Sequence, residues 1–310
     1  MDLITIGEFL IDFIPGEEEG AFIRNAGGAP ANVAISAARN GHSAGIYCKV
    51  GDDDFGRFLI ATLKENGVEP LSPKLCDSAF TTLAFVTLDE NKNRSFAFAR
   101  KPGADMMLEK SEISEEEIGK SRMVHGGSFT LRDEPCKEAT KFCLQKAHDS
   151  GKIVSFDINY RNLVWNGDRN ACSECVKEVL PWVDLLKISD EEEDLVGGAA
   201  NIPALMKEFG ITAVIETLGK EGARCFFNGA DFICKGRSFG ELVDTTGAGD
   251  AFWGGFLSRL LILGINNSQE LTEKALKDAL EYGNISGGLC VTAKGAINSL
   301  PTRERIEELL

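Results

Sequence analysis

Short apolar runs that alternate with helical patterns constrain the fold of this chain more than any other feature. The runs lie at 3–6, 153–156, 183–188 and 212–216, and segments with helical spacing separate them. Parallel strands joined by helices are buried on both faces, so they read as short continuous apolar runs. The alternation predicts an α/β fold of three layers, with helices on both faces of a mostly parallel central sheet.

The remaining patterns divide between helices and hairpins. Helical spacing covers 31–39, 55–66, 135–150, 251–264 and 271–289, and a hairpin is predicted at 224–234 around Asn228-Gly229. Strands at 81–88 and 94–99 flank the polar turn 89–93, and residues 9–14 alternate. No linker divides the 310 residues. We therefore expect one domain over 1–310, with a small β-sheet lid formed from about 8–24 and 76–103.

Charge excludes some classes of partner. The chain carries 48 acidic and 33 basic residues, a net charge of -15, which argues against nucleic acid or an anionic membrane surface as a partner. The N-terminal segment has no basic start or cleavage site, and the apolar segment 251–265 is short and carries Arg259. We expect a cytoplasmic protein without a membrane partner.

A glycine turn at 244–257, DTTGAGDAFWGGFL, is the strongest candidate for a chemical site. The turn enters a helix, and helix N-termini present free N–H groups and partial positive charge to an anion. Asp250 would lie beside that anion site, where a carboxylate could accept the proton of a hydroxyl nucleophile. The alternative is that Asp250 only complements the helix dipole.

A second glycine turn, NAGGAPANVAISAARNG, spans 25–41 and also enters a helix. Asn32 lies on its first helical turn and could both donate to and accept from a polyol. Upstream, Asp12 lies among apolar residues in GEFLIDFIP, where a carboxylate could bind sugar hydroxyls. The alternatives are that the glycines serve only the turn, that Asn32 is solvated, and that Asp12 lies exposed on an edge strand.

Together these segments resemble the ribokinase-like (phosphofructokinase-B type) sugar kinases. GGAPANVA resembles the N-terminal signature of that family and DTTGAGDAFWGGFL the C-terminal one. FDINYR, LKISDEEE and ETLGKEGA lie between them and AKGAINSLPT after them, in the family's order. The resemblance implies a ribokinase-like fold and ATP-dependent phosphorylation of a primary hydroxyl of a monosaccharide. Bacterial fructokinases look most similar, so fructose is the expected substrate and fructose 6-phosphate the product; 2-keto-3-deoxygluconate, nucleosides and aminoimidazole riboside stay open as alternatives.

The resemblance also assigns roles to individual positions. Asp250 is implied as the catalytic base, with Gly247, Ala248 and Gly249 forming the anion hole. The implied sugar contacts are Asp12, Gly28, Asn32, Arg100, Asn159 and Arg161. The implied nucleotide contacts are Lys187, Ser189, Thr217, Gly219, Gly222 and Asn284. Arg161 and Lys187 could instead be surface charges.

Cofactors follow from the same resemblance, with one departure. The family's Asn-x-x-Glu motif, which helps to organise Mg²⁺, reads here as Ser189 to Glu192, with serine in place of asparagine. Glu192 is implied near Mg²⁺ through water, and Asp244 matches a position that binds a monovalent cation, K⁺, in some members.

Two rival enzyme classes lack their motifs, and one non-enzyme class stays open. The chain contains no GxxxxGK[ST], as a P-loop kinase would need, and no GxGxxG after its first strand, as a dinucleotide-binding dehydrogenase would need. A non-catalytic sugar-binding regulator is the remaining alternative.

The aromatic residues Phe80, Phe85, Phe96 and Phe98 in the lid segment suggest a homodimer in which two lids cover each other.

Overall fold

Thirteen strands and ten α-helices make up the part of the chain that the structure describes. A computed structural model gives the coordinates, and it describes residues 1–18, 20–72, 74–88 and 94–310; the predicted turn at 89–93 and the side chain of Phe96 lie outside the described part. The strands are β1 (Leu3–Ile6), β2 (Leu10–Pro15), β3 (Phe22–Gly27), β4 (Ala44–Tyr47), β5 (Val68–Pro70), β6 (Leu83–Leu88), β7 (Arg94–Ala99), β8 (Met123–Gly127), β9 (Ile153–Asp157), β10 (Leu185–Ser189), β11 (Ala213–Thr217), β12 (Gly222–Phe227) and β13 (Ala230–Lys235).

Nine strands form one central sheet in the order β13-β12-β11-β10-β9-β8-β1-β4-β5. Its strands from β11 to β5 pair in parallel, and only the hairpin of β12 and β13 adds antiparallel edge strands. The predicted mostly parallel sheet is confirmed, as is the hairpin around Asn228-Gly229.

Helices cover both faces of this sheet. They are α1 (Ala29–Arg39), α2 (Asp54–Glu65), α3 (Glu115–Lys120), α4 (Cys136–Asp149), α5 (Arg169–Lys177), α6 (Ile202–Phe209), α7 (Ala248–Ile262), α8 (Glu273–Cys290), α9 (Ala296–Ser299) and α10 (Arg303–Glu307). Neighbouring residues of one strand belong to different cores: Leu3 packs with α1, α7 and α8, whereas Ile4 packs with α4. Because successive strand residues point to opposite faces, this division shows three layers with two apolar interfaces.

A separate four-stranded sheet, called here the small sheet, has the order β3-β2-β6-β7. Strands β2 and β6 pair in parallel and the other neighbours are antiparallel, with Asp12 opposite both Asn25 and Ala84. Phe13 stacks on Phe85 with ring centroids 5.1 Å apart and meets Phe55 of α2 edge-on at 5.7 Å. These aromatic contacts fasten the small sheet to α2.

Some elements carry too weak a pattern to be predicted. Strands β3, β4, β5 and β8 were not expected, and β4 and β8 contain glycines, which weaken a strand pattern. Helix α5 lies between the runs 153–156 and 183–188, where helical spacing was expected, although its buried side chains are only Cys172 and Val176. Within the described residues, no helix combines the length and apolar character needed to cross a bilayer.

Candidate active site

A cleft of about 790 Å³ lies between the central sheet and the small sheet. One wall is built by residues that follow the carboxyl ends of parallel strands: Glu8 after β1, Asn159 to Leu163 after β9, and Ser189 and Thr217 at the ends of β10 and β11. The small sheet supplies Leu10, Asp12, Ala84 and Phe98. In parallel α/β sheets this edge is where ligands bind, because loops and helix N-termini converge there.

Asp250 lies in the first turn of α7 and faces this cleft. It is 7% exposed, and Asn32 Nδ2 donates a hydrogen bond of 2.7 Å to its Oδ2. Asn32 itself lies in the first turn of α1, so the N-termini of two helices meet at this carboxylate. The amide donor and the two helix N-termini therefore hold this buried carboxyl group in a fixed position beside the cleft.

Gly247 gives the turn before α7 its shape. Its φ is 79°, in the left-handed region, and a Cβ there would lie 2.6 Å from the Cβ of Ala296. Gly247 and Gly249 line the cleft, as an anion hole requires. Ala248 is not among the lining residues, and its N–H donates to the carbonyl oxygen of Thr245 at 3.2 Å. The structure therefore brings two of the three predicted anion-hole residues to the cleft.

Lys187 lines the cleft near Gly249 and forms an ion pair with Asp157. Lys187 Nζ lies 2.7 Å from Asp157 Oδ2, and the two side chains are 6% and 3% exposed, so the surface alternative for Lys187 is wrong. Burial raises the pKa of Asp157 to about 6 against the attraction of Lys187. Burial alone would lower the pKa of Lys187, but Asp157, Glu192 and Asp250 outweigh it and raise that pKa.

Ser189, where the resemblance led us to expect asparagine, caps the short 3-10 helix Asp190–Val196. Its side chain and that of Glu192 form a reciprocal capping box, and Glu192 Oε2 accepts from Ser189 N at 2.8 Å. Glu192 Oε1 accepts from Tyr160 N, which ties the loop after β9 to the same carboxylate. Serine is thus a competent replacement for holding Glu192 at the cleft wall, where both residues lie.

Asp12 projects into the cleft from β2. Burial raises its pKa to about 6, with Asp250 adding to the rise and Arg161 opposing it. Asp12 is therefore not exposed on an edge strand, the alternative weighed from sequence, because β2 lies between β3 and β6; it belongs to a cluster of acidic groups in one cavity.

Glu8 is a cleft residue that sequence reasoning missed. Its side chain is 5% exposed, and its Oε1 accepts from the backbone N–H of Ala29, the first residue of α1, at 3.1 Å. Burial raises its pKa to about 8. Gly28 packs on its main chain: the φ of Gly28 is 134°, and a Cβ there would lie 2.4 Å from the carbonyl oxygen of Glu8. The sequence offered the same signal for Glu8 as for Asp12, because both are acidic residues within the largely apolar segment GEFLIDFIP.

Arg100, predicted as a sugar contact, pairs with two carboxylates beside the cleft. Its Nε lies 2.8 Å from Asp105 Oδ2 and its Nη1 3.1 Å from Asp133 Oδ2, and it stacks on Phe129. It is not among the cleft-lining residues, because these carboxylates hold its guanidinium outside the cavity. Sequence order could not reveal these partners, which come from the loops after β7 and β8.

The other predicted residues fall into two groups. Eight of them line the cleft: Gly28, Asn32, Asn159, Arg161, Lys187, Ser189, Glu192 and Thr217. Gly219, Gly222 and Asn284 do not; Asn284 instead donates to the carbonyl oxygens of Cys234 and Lys235. These three lie beyond Thr217, toward β12 and β13.

Asp244 ties two loops together behind the anion-hole turn. Its Oδ1 accepts from Thr246 N and Thr246 Oγ1 at 2.9 and 2.7 Å, and its Oδ2 accepts from Gly295 N at 3.1 Å. The role of Asp244 toward a monovalent cation stays a prediction.

Comparison with known proteins agrees with this geometry. Residues 1–303 match the family described as pfkB family carbohydrate kinase. The probable fructokinase-5 of Arabidopsis thaliana is 38% identical over 322 residues, covering 99% of this chain and 97% of that protein.

Two solved structures share the whole fold. A fructokinase from Xylella fastidiosa with bound ATP superposes with a TM-score of 0.90 at 28% identity, covering 99% of this chain and 97% of the other. A fructokinase double mutant from Vibrio cholerae O395 in a form with fructose, ADP and potassium ion superposes with a TM-score of 0.88 at 32% identity, covering 100% and 98%. The chain belongs to the pfkB family of carbohydrate kinases and has the ribokinase-like fold.

Proposed function

We propose that this protein transfers the γ-phosphoryl group of ATP to the primary hydroxyl of fructose, giving fructose 6-phosphate and ADP. The observation that carries the proposal is the buried carboxylate of Asp250, held by Asn32 at the N-terminus of α7 inside the cleft. The relatives support the choice of reactants, since the Vibrio cholerae protein binds fructose and ADP and the Xylella fastidiosa protein binds ATP.

The residues of the cleft suggest how the transfer proceeds. Asp250 accepts the proton of the hydroxyl whose oxygen forms the new bond to phosphorus, while the bond from phosphorus to the leaving ADP oxygen breaks. The turn at Gly247 and Gly249 presents the N-terminus of α7 to the transferring group, and its partial positive charge stabilises the negative charge there. Asn32 keeps the acceptor oxygen of Asp250 in place.

Mg²⁺ is proposed as the companion of ATP, and the residues present fit such an ion. Within the described residues no group of three or more histidine, cysteine, aspartate or glutamate side chains could hold a metal. Mg²⁺ in kinases is held largely by substrate phosphates and water, with one or two carboxylates, so no such group is needed. Glu192 is the carboxylate we propose on its water shell; when bound, the ion neutralises phosphate charge. Asp244 is proposed to contact K⁺.

The charge of the cleft favours a neutral sugar over a keto acid. Asp12 and Asp250 are acidic groups in the lining, and carboxylates bind sugar hydroxyls but repel a substrate carboxylate. Arg100, which could have bound the carboxylate of 2-keto-3-deoxygluconate, does not line the cleft, and its Nε and Nη1 already pair with Asp105 and Asp133. Fructose fits this distribution of charge.

Release of ADP with MgATP across a panel of acceptors tests the substrate. The panel contains fructose, 2-keto-3-deoxygluconate, ribose, adenosine and aminoimidazole riboside, each with K⁺ present. Turnover with fructose well above the others supports the proposal, and turnover with another acceptor replaces the substrate. Folded protein that turns over none of them favours the sugar-binding regulator.

We further propose that the small sheet is the lid of a single kinase domain and that a second copy of the chain covers it. Phe22, Ile23 and Phe80 are large apolar side chains left exposed in this region. Closure over the sugar would exclude water, which competes as phosphoryl acceptor. A dimer mass in sedimentation, converted to a monomer by replacing Phe22 and Ile23 with serine, is the expected result. The cytoplasm stays the proposed location on the sequence grounds given above.

A further inference from the structure

Glu8 has no role in the proposed transfer, yet it is buried at the centre of the site. It lies between β1 and β2, lines the cleft, and places its carboxyl against the first N–H group of α1. We propose that Glu8 is a positioning residue: its carboxyl oxygen anchors the first turn of α1 and thereby fixes Asn32 against Asp250. The proposal rests on the fructose kinase activity proposed above.

The contacts form a continuous path. Glu8 Oε1 accepts from Ala29 N at 3.1 Å, and three residues later Asn32 N donates to the carbonyl of Gly28, closing the first turn of α1. Asn32 Nδ2 then reaches Asp250 Oδ2 at 2.7 Å. The side chain of Gly28 is absent and that of Ala29 is a methyl, so neither can cap this helix; the structure records no side-chain cap from Gly28. Glu8 supplies the acceptor that a capping residue would normally provide.

Charge around Glu8 indicates that it works as an acceptor without being ionised. The charged groups that act on it are Arg161 and Asp105; Arg100 already pairs with Asp105, and Asp12 and Asp250 line the same cleft. Burial raises the pKa of Glu8 to about 8, and Asp105 adds to the rise while Arg161 opposes it. A neutral carboxyl keeps its carbonyl oxygen for Ala29 N and adds no further negative charge to a cavity that must admit ATP and that Asp12, Glu191, Glu192 and Asp250 already line.

Two substitutions separate the acceptor from the charge. Glu8→Gln is neutral and keeps an oxygen that can accept from Ala29 N. We therefore expect its kcat to stay within about 3-fold of that of the unsubstituted protein. Glu8→Leu fills similar volume but removes the acceptor and leaves a buried N–H unpaired. We expect it to lower kcat about 10-fold or more and to raise the KM for fructose, with the KM for ATP unchanged.

Hydrogen exchange gives a readout that does not depend on activity. Amides of the first turn of α1, in peptides covering 26–40, should exchange faster in Glu8→Leu and at the original rate in Glu8→Gln. Thr272→Val is the matched control, because Thr272 Oγ1 accepts from Ala275 N at 3.2 Å and caps α8. That variant should lower stability while leaving kcat unchanged.

The outcomes are distinct. Glu8→Leu with slow exchange at α1 and the original kcat would overturn the proposal, as would Glu8→Gln being impaired as much as Glu8→Leu. An original protein that does not phosphorylate fructose refutes the proposed function instead. In that case the exchange of the first turn of α1 still decides whether Glu8 anchors it.

Discussion

Replacing Asp250 by asparagine is the most direct test of the site. Asparagine has the same shape, and its amide oxygen can still accept from Asn32 Nδ2, which now lies 2.7 Å from Asp250 Oδ2. Its neutral amide cannot take a proton from a hydroxyl. The substitution therefore removes the base and leaves its position and its hydrogen-bond partner intact.

Two magnitudes separate the effect on catalysis from the effect on folding. A positioned general base contributes a factor of about 10² to 10⁴ in rate. At 1.36 kcal/mol for each factor of ten, this corresponds to about 3–5 kcal/mol in the activation barrier. Loss of the negative charge in the first turn of α7 removes a dipole interaction worth about 0.3–1 kcal/mol of stability. For a chain of this size the expected fall in Tm is about 3 °C or less.

The assay is ADP release at saturating fructose and MgATP, with Tm measured on the same samples. Asp278→Asn is the control, because it also neutralises a partly buried aspartate, the ion-pair partner of Arg259, in α8 and outside the cleft lining. We expect Asp278→Asn to keep the original kcat and Asp250→Asn to lose at least about 100-fold. A kcat above a tenth of the original in Asp250→Asn would refute the assignment of Asp250 as the base.

Further predictions concern the charged groups of the cleft. Lys187→Met should lower the free energy of unfolding, measured in urea titrations, by about 3–5 kcal/mol, because the Asp157 carboxylate is then buried without its cation. Adding Asp157→Asn to this variant should restore part of the lost stability. A double variant as unstable as Lys187→Met would contradict the pairing. Asp12 has a pKa raised to about 6, so kcat/KM for fructose should rise with pH through that value as the carboxylate becomes able to accept sugar hydroxyls. The raised pKa also means that the folded state keeps a proton that the unfolded state loses, so stability should fall as pH rises from about 4 to about 6. Asp12→Asn should remove the inflection in kcat/KM and make the fall in stability smaller, while Asp157, whose pKa is also raised to about 6, keeps the rest of that fall. A stability profile that stays unchanged in this variant would show that Asp12 does not contribute to it.

Local sequence patterns predicted those elements whose residue types favour a single backbone structure. The apolar runs of β1, β9, β10 and β11 predicted parallel strands because both of their faces are buried. The glycine turns before α1 and α7 predicted helix N-termini aimed at a ligand, and Asp12, Asn32 and Asp250 all reach the cleft. Short or glycine-containing strands such as β4 and β8 were missed, because their pattern is weak without their neighbours in the sheet.

The sequence by itself therefore determined the alternation of the main strands and helices, the two glycine turns that enter helices and the place of Asp250 after the second of them, since these depend on local backbone chemistry. Tertiary structure alone decided which charges face the cleft. Arg100 pairs with the carboxylates of Asp105 and Asp133, which are 5 and 33 residues away in the sequence. Lys187 forms a buried ion pair with Asp157, and the carboxyl group of Glu8 accepts from the backbone N–H of Ala29, 21 residues further along the chain. Pairing of charges depends on distances in space that the order of residues does not encode, and burial then sets the pKa of each group.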